Sequence, residues 1–406
     1  MLFKLLYVIF VICQLLWGHF YLGGVITPRQ LMVIVMFVAC VTVKEIKMDK
    51  YWWIYVVFIV FYGISSAITG YIFLFLRQLI GFYFASFVAY RATIVMIKKY
   101  RCEATVINTL VLIGVADAVV TIGQYLNIPV FNDIVYVMRF VNLNEQFISI
   151  QERSDIVNRI AVPGIVGAVT NGYVLSFLSV MALFNKKGKL TLWNLAVWSV
   201  LISGSFCAQE RSGFIAAVLL SLFMIVRLVS NMGRRIKPLL LPLLIAVFVV
   251  GLVYLTGLMA ESESRHSLGI NIMEERAGIY RRAWAFFVEN PMGGFLEFID
   301  TKNMYPHNIF LNALLQGGIF GGIAILVLLI MQFSKIIPYF IKPIKDYDDV
   351  VKITFAFAFT AYSINSLVHN LSIVSGDANI WILWGGFLAV LERQKKQFRI
   401  TNGLII

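Results

Sequence analysis

Apolar runs, several of them about twenty residues long, recur along this chain, and a run of that length is what a helix needs to cross the hydrocarbon core of a bilayer. They lie at roughly Met1–Trp17, 30–43, 51–69, 71–90, 104–125, 161–184, 190–207, 213–229, 238–257, 308–333, 353–370 and 379–391. The first carries Lys4 and has the outline of a signal peptide. However, Trp17-Gly-His-Phe-Tyr offers no small-x-small cleavage site and further runs follow at once, so it reads as a first span. The expected fold is an all-α polytopic membrane protein of about 12 transmembrane helices, one integral membrane domain over 1–406. With 60% hydrophobic and 14% charged residues, the chain is neither an ordinary soluble protein nor a disordered one. Cys13, Cys40, Cys102 and Cys207 show no metal-ligand or disulfide spacing.

The segments between runs alternate in charge. One set holds Lys4; Lys44, Lys47, Lys50; Arg91, Lys98, Lys99, Arg101; Lys186, Lys187, Lys189; Arg227, Arg234, Arg235, Lys237; Lys335, Lys342, Lys345, Lys352; and Arg393, Lys395, Lys396, Arg399. The other holds Arg29, Arg139, Arg153, Arg159, Arg211, Arg265, Arg276, Arg281, Arg282 and Lys302. Cytoplasmic loops carry the excess of positive charge, so both termini are expected in the cytoplasm. The net charge of +13 then suits anionic lipid rather than nucleic acid.

The two sets differ in kind as well as number. The cytoplasmic set is sixteen Lys and seven Arg; the external set is nine Arg and one Lys. Arginine forms the planar, bidentate fork that matches phosphate and carboxylate. Its excess on the sparsely positive side points to an anion site facing outward, against the plainer reading of loop arginines paired with Glu152, Asp155, Glu274 or Glu275. Two external loops are long, 126–160 and 258–307. Within the second, Ala277, Tyr280, Trp284 and Val288 recur at helical spacing and predict a helix over 273–289, ended by Asn290-Pro291. On such a helix Arg276, Glu275 and Arg282 need not share a face.

Particular residues stand out. Arg211 sits in Ala208-Gln-Glu-Arg-Ser-Gly, a very short external turn where Glu210 is placed to neutralise it. His307 opens a span in Tyr305-Pro-His-Asn-Ile-Phe. The free N–H groups of a helix start face an anion, and histidine moves a proton near neutral pH; the bland reading is an interfacial cap. Asn308 either orients a substrate or caps that helix. Arg77 and Asp117 lie within spans, where ionisable groups are costly and usually paired. They pair with each other, or Arg77 serves a lipid phosphate. Asp377, His369, Asn370, His19 and His266 are weaker candidates. Asp346-Tyr-Asp-Asp reads as a solvated cytoplasmic loop. No external Asp-x-Asp pair, Walker loop or Gly-rich nucleotide loop occurs, so no cofactor and no metal are expected.

Three stretches carry a resemblance. Gln209-Glu-Arg-Ser-Gly-Phe-Ile-Ala-Ala looks like an arginine-containing short-turn motif. Glu275-Arg-Ala-Gly-Ile-Tyr-Arg-Arg-Ala-Trp through Asn290-Pro-Met-Gly-Gly looks like an arginine-to-NPxxG segment. Pro306-His-Asn-Ile-Phe-Leu-Asn-Ala-Leu-Leu-Gln-Gly-Gly looks like a histidine motif. In this order, and all external, they resemble the superfamily of O-antigen ligases and Wzy-type O-antigen or capsule polymerases. The resemblance implies a C-type glycosyltransferase-like fold in a bacterial inner membrane, with the large loop between helices 9 and 10 facing the periplasm. It implies a glycan donor and acceptor carried on undecaprenyl pyrophosphate, and a possible chain-length regulator as partner. Arg211 and Arg276 would grip the donor pyrophosphate and His307 would serve the acceptor hydroxyl. Arg282, Arg281, Arg153, Arg159, Asn308, Tyr305 and Arg77 would bind substrate. Arg153 to Gly164 and Arg282 to Gly293 each match the polymerases' arginine, ten residues, glycine pattern, so polymerase is preferred to ligase. A 12-helix transporter is the distant alternative, disfavoured because no internal repeat is visible.

Overall fold

The computed structural model describes residues 1–16, 27–134, 162–167, 170–230, 272–302, 304–367 and 372–401. The expected span at 238–257 lies outside them. The described residues form helices joined by turns and irregular segments, without a strand. Five helices are long and apolar enough to cross a membrane: Lys50–Ile68, Ile72–Lys98, Glu103–Tyr125, Ser212–Val229 and Ile309–Phe340. Shorter apolar helices cover Leu2–Leu15, Pro28–Thr42, Asn171–Ala182 and Leu192–Cys207. Apolar side chains stay exposed in rows along them, as at Ile34, Val38 and Val41, or Ile319, Ile323, Leu326 and Ile330. That spacing of three and four lines one helix face, and a membrane is the solvent that accepts it.

Pairwise contacts give the bundle two ends. At the first end Phe3 stacks on Tyr100 at 5.2 Å, and Arg91 donates to the Glu45 carbonyl at 2.9 and 2.7 Å. Lys98 pairs with Glu392, Phe184 packs on Tyr347, and Arg227 donates to the Lys342 carbonyl. Arg393 pairs with Glu103 at 2.5 Å and with Asp348. These contacts link described residues of, or next to, all seven lysine-rich segments in one continuous series at that end. Asp346-Tyr-Asp-Asp is not a solvated loop. Asp346 caps the helix Tyr347–Ser366 by accepting from Asp349 N, while Asp348 and Asp349 pair with Arg393 and Lys352. Burial pushes the Asp349 carboxyl up, but the Lys352 ammonium beside it wins and holds it below the usual carboxylate range. Arg91, expected in a loop, is instead buried within the helix Phe84–Lys98.

Helix α1 (Leu2–Leu16), α2 (Pro28–Thr42), α3 (Lys50–Ile68), α4 (Ile72–Gln78), α5 (Phe84–Lys98) and α6 (Glu103–Tyr125) precede α7 (Asn171–Ala182), α8 (Leu192–Cys207) and α9 (Arg211–Ser230). Then come α10 (Ile272–Glu289), α11 (Phe295–Lys302), α12 (Ile309–Ile336), α13 (Tyr347–Ser366) and α14 (Ala378–Thr401). Three interruptions break this regularity and meet. A π-turn, Leu79–Tyr83, joins α4 to α5. α12 is broken at Gly318, where φ is 61° and ψ is −162°. Residues 372–377 enter the bundle ahead of α14: Tyr55 donates to the Ile373 carbonyl at 2.6 Å and Ser86 to that of Gly376 at 2.7 Å. The Tyr83 hydroxyl lies 2.8 Å from the Val374 carbonyl and 3.3 Å from Gln316 Oε1. Irregular backbone at membrane depth persists only where protein satisfies its polar groups, and these tyrosines do so.

Candidate functional site

The second end of the bundle carries the three sequence motifs. Gln209, with φ 60°, makes the sharp turn into α9. Glu210 is buried against Gly172, whose added Cβ would stand 2.3 Å from its Cβ. Gly213 lies so close to the Gly172 carbonyl that a Cβ would sit 2.5 Å from it. The turn is thereby clamped onto α7. Arg211 is the first residue of α9; its side chain lies outside the described residues. Its neighbour Ser212 donates to Asn365 Oδ1 at 2.5 Å.

The predicted helix over 273–289 is present as α10, but its packed face differs. Ala283 and Phe287 are buried, while Trp284 and Val288 are exposed at 53% and 60%. A period of 3.6 fixes the angle between residues, not which arc meets the bundle; Tyr280, Ala283 and Phe287 form the arc that does. Arg281 and Arg282 are exposed. Arg276 lies in the first turns of α10, its side chain outside the described residues, as are Arg153, Arg159, His19, His266, His369 and Asn370. After α10, Asn290-Pro-Met-Gly-Gly folds onto the break in α12. Gly294 N donates to the Leu315 carbonyl at 2.7 Å, and Ile319 N to that of Pro291 at 3.1 Å. Added Cβ atoms would strike Leu315 O at 2.7 Å from Gly293, and Pro291 O at 2.7 Å from Gly318. Both glycines have positive φ, so this contact requires them.

His307 holds a left-handed φ of 42°, a conformation that costs an L-residue about 1–2 kcal/mol. Strain of that kind gathers at functional sites. Its carbonyl accepts from Tyr280 Oη at 3.3 Å, which ties it to α10 one residue from Arg281. Asn308 caps α12 by accepting from Phe310 N at 2.9 Å and Leu311 N at 3.1 Å. Its Nδ2 donates to the Leu367 carbonyl at 3.2 Å. Of its two open roles, the cap is the one its polar atoms fill. Tyr305 is exposed, with its ring 6.5 Å from that of Phe295.

The end of α13 therefore joins two motifs far apart in sequence. Ser212, beside Arg211, binds Asn365; Asn308, beside His307, binds Leu367. The starts of α9 and α12 are both tied to that end of α13, each with its positive dipole end. Behind them Tyr173 bonds Ser366 at 2.8 Å and packs edge-on against Tyr362 at 4.5 Å. Tyr362 donates to Asp377 Oδ2 at 2.6 Å. Arg29 stands over the Phe82 ring at 5.3 Å and donates to Gln14 Oε1 at 2.8 Å. Sequence reading passed over this hydroxyl network. Its one signal is polar Ser363, Asn365 and Ser366 inside an apolar run.

Arg77 and Asp117 do not pair. Arg77 is exposed in the last turn of α4. Asp117 is fully buried in α6 and accepts from Ile165 N at 2.7 Å. The expected span 161–184 is helical only from Asn171, because residues 162–167 fold over α6 instead.

No family model, no curated protein and no solved structure matches the chain. Its class rests on its architecture: an all-helical membrane protein with three motif-bearing segments gathered at one end.

Proposed function

We propose that the protein is a membrane glycosyltransferase that polymerises lipid-linked oligosaccharide repeat units, of O-antigen or capsule type, at the outer face of a bacterial inner membrane. The observation that supports this reading is the pair of hydrogen bonds from Ser212 and Asn308 to Asn365 and Leu367, which tie the arginine turn and the histidine motif to the same end of α13. In the proposed reaction a sugar hydroxyl attacks the anomeric carbon of a glycan held on undecaprenyl pyrophosphate. The C–O bond to the pyrophosphate breaks as the new glycosidic bond forms. Negative charge grows on the leaving diphosphate, and the guanidinium groups of Arg211 and Arg276 offset it without a metal ion. His307 takes the proton from the attacking hydroxyl. Arg281 and Arg282, exposed on α10, with Arg153 and Arg159, add positive potential for the lipid-linked anions. Single displacement inverts the anomeric centre.

The test is reconstitution of the purified protein with undecaprenyl-pyrophosphate-linked repeat units. A ladder of lengthened glycans on the lipid carrier is the expected product. Transfer of preformed glycan to lipid A-core without lengthening would make it a ligase. Turnover of neither acceptor would end the reading.

A further inference from the structure

We infer that Arg77 anchors a binding site for a phospholipid of net negative charge on the membrane-facing arc of α4, a role outside the proposed transfer reaction. Helix α4 continues through the π-turn into α5, and Ile72–Lys98 together make 27 residues apolar enough to cross a membrane. At about 1.5 Å per residue this run is about 40 Å long, the thickness of a bilayer with its headgroup layers. Its start lies at the motif-bearing end, where Tyr71 donates to Asp300 Oδ2 on α11 at 2.6 Å. Arg77 follows Ile72 by five residues. That sets it about 7–8 Å below the start, where headgroups give way to hydrocarbon.

The bundle fixes which way Arg77 points. On the inner arc of α4, Phe75 is buried, and an added Cβ on Gly63 of α3 would stand 3.0 Å from its Cε1. Gln78 accepts from the Tyr62 hydroxyl at 2.7 Å. With those two side chains pinned, Phe73, Leu76, Arg77 and Ile80 share the opposite arc. All four are exposed, Phe73 at 84% and Ile80 at 65%. No described residue forms an ion pair with the guanidinium. A charge set among lipid-facing apolar side chains is costly until it finds a counter-charge. Its Cα–Cβ bond tilts toward the start of the helix, so the long side chain reaches back toward the headgroups. What a membrane offers at that level is a phosphodiester, whose oxygens match the planar fork. In a zwitterionic lipid that phosphate already faces its own ammonium group. In a lipid of net negative charge it does not, so the anionic lipid gains more from Arg77. Its acyl chains then lie along Leu76 and Ile80.

The experiment is native mass spectrometry of the purified, delipidated full-length protein in detergent. It is titrated with phosphatidylglycerol, or with phosphatidylcholine carrying the same acyl chains. One phosphatidylglycerol should bind with a Kd about tenfold or more below that of phosphatidylcholine. Arg77→Gln should abolish that difference, and Arg77→Lys, which keeps the charge without the fork, should fall between. Lys187→Gln, which removes an exposed charge at the other end, should keep the full difference. Equal binding of the two lipids by wild type would overturn the proposal, as would an undiminished preference in Arg77→Gln or an equal loss in Lys187→Gln. A polyprenyl pyrophosphate that co-purifies with wild type and is lost in Arg77→Gln would give the residue to the substrate and also overturn it. The readout is lipid binding, so a failed glycan-transfer assay leaves this inference standing, and the reverse also holds.

Discussion

The two ends of the bundle are built from opposite kinds of polar chemistry. At the lysine-rich end charges are paired: Arg393 with Glu103 and Asp348, Lys352 with Asp349, Lys98 with Glu392, Arg91 with Glu45. At the other end Arg77, Arg281 and Arg282 stand exposed without an ion pair to a described residue, while Arg29 is held by Gln14 and the Phe82 ring. Positive φ occurs at both ends, at Lys44, Arg101 and Gly188 in the first and at Gln209, Gly293, Gly294, His307 and Gly376 in the second. The first end spends its charges on its own stability. The second leaves Arg77, Arg281 and Arg282 exposed and fixes its turns by close packing and hydroxyl bonds. That division suits the proposed reaction, which needs exposed cationic groups on one side only.

The comparison breaks most sharply at Arg393. Arg393→Met would leave Glu103, with a side chain 2% exposed, as an uncompensated buried charge. The expected loss is about 3–5 kcal/mol of stability, read by unfolding in detergent; an unchanged midpoint would mean that the paired end is not what holds the bundle. Next comes Gly318→Ala at the meeting of the Asn290–Gly294 turn with α12. Its φ and the contact with Pro291 O predict a cost of about 1–3 kcal/mol, together with loss of transfer.

His307→Gly separates the two roles of that residue. Glycine accepts φ 42° without strain, so stability should stay within about 1 kcal/mol of wild type. Transfer should fall about 10²-fold or more. Full activity in lipid-linked assay would remove the imidazole from the mechanism. The double change Arg281→Ala with Arg282→Ala should move stability by no more than about 0.5 kcal/mol while weakening use of the lipid-linked substrate, seen as a raised KM. The smallest expected effect is that of EDTA: none on transfer, since in the proposed reaction guanidinium groups do the work of a metal. A strict divalent requirement would contradict the arginine argument.

Much of the frame was legible in the chain. The alternating lysine-rich segments marked which connections share an end, because that pattern follows from charge alone and survives errors of a few residues in any boundary. The helix over 273–289 and its stop at Asn290-Pro291 were legible for the same local reason. The docking of the Arg211 turn and the His307 motif on the same end of α13 was not. It runs through the bonds Ser212–Asn365 and Asn308–Leu367, spanning 153 and 59 residues of chain, and no local period encodes such contacts. The Arg77–Asp117 pairing failed because two charges in apolar runs name a need for partners without naming the partners. Residues 162–167 supplied one for Asp117, and their Pro163-Gly164 start is incompatible with continuing a helix.

Hydropathy and charge sign determined that the chain is a helical membrane protein and which connections lie together, since each depends on composition summed over a segment. Only the packed structure decided the rest. It set how deep residues 372–377 enter, where α12 breaks, and which arc of α10 is covered. Those outcomes turn on single contacts at positive-φ glycines and buried hydroxyls, whose energies exist only once distant segments touch.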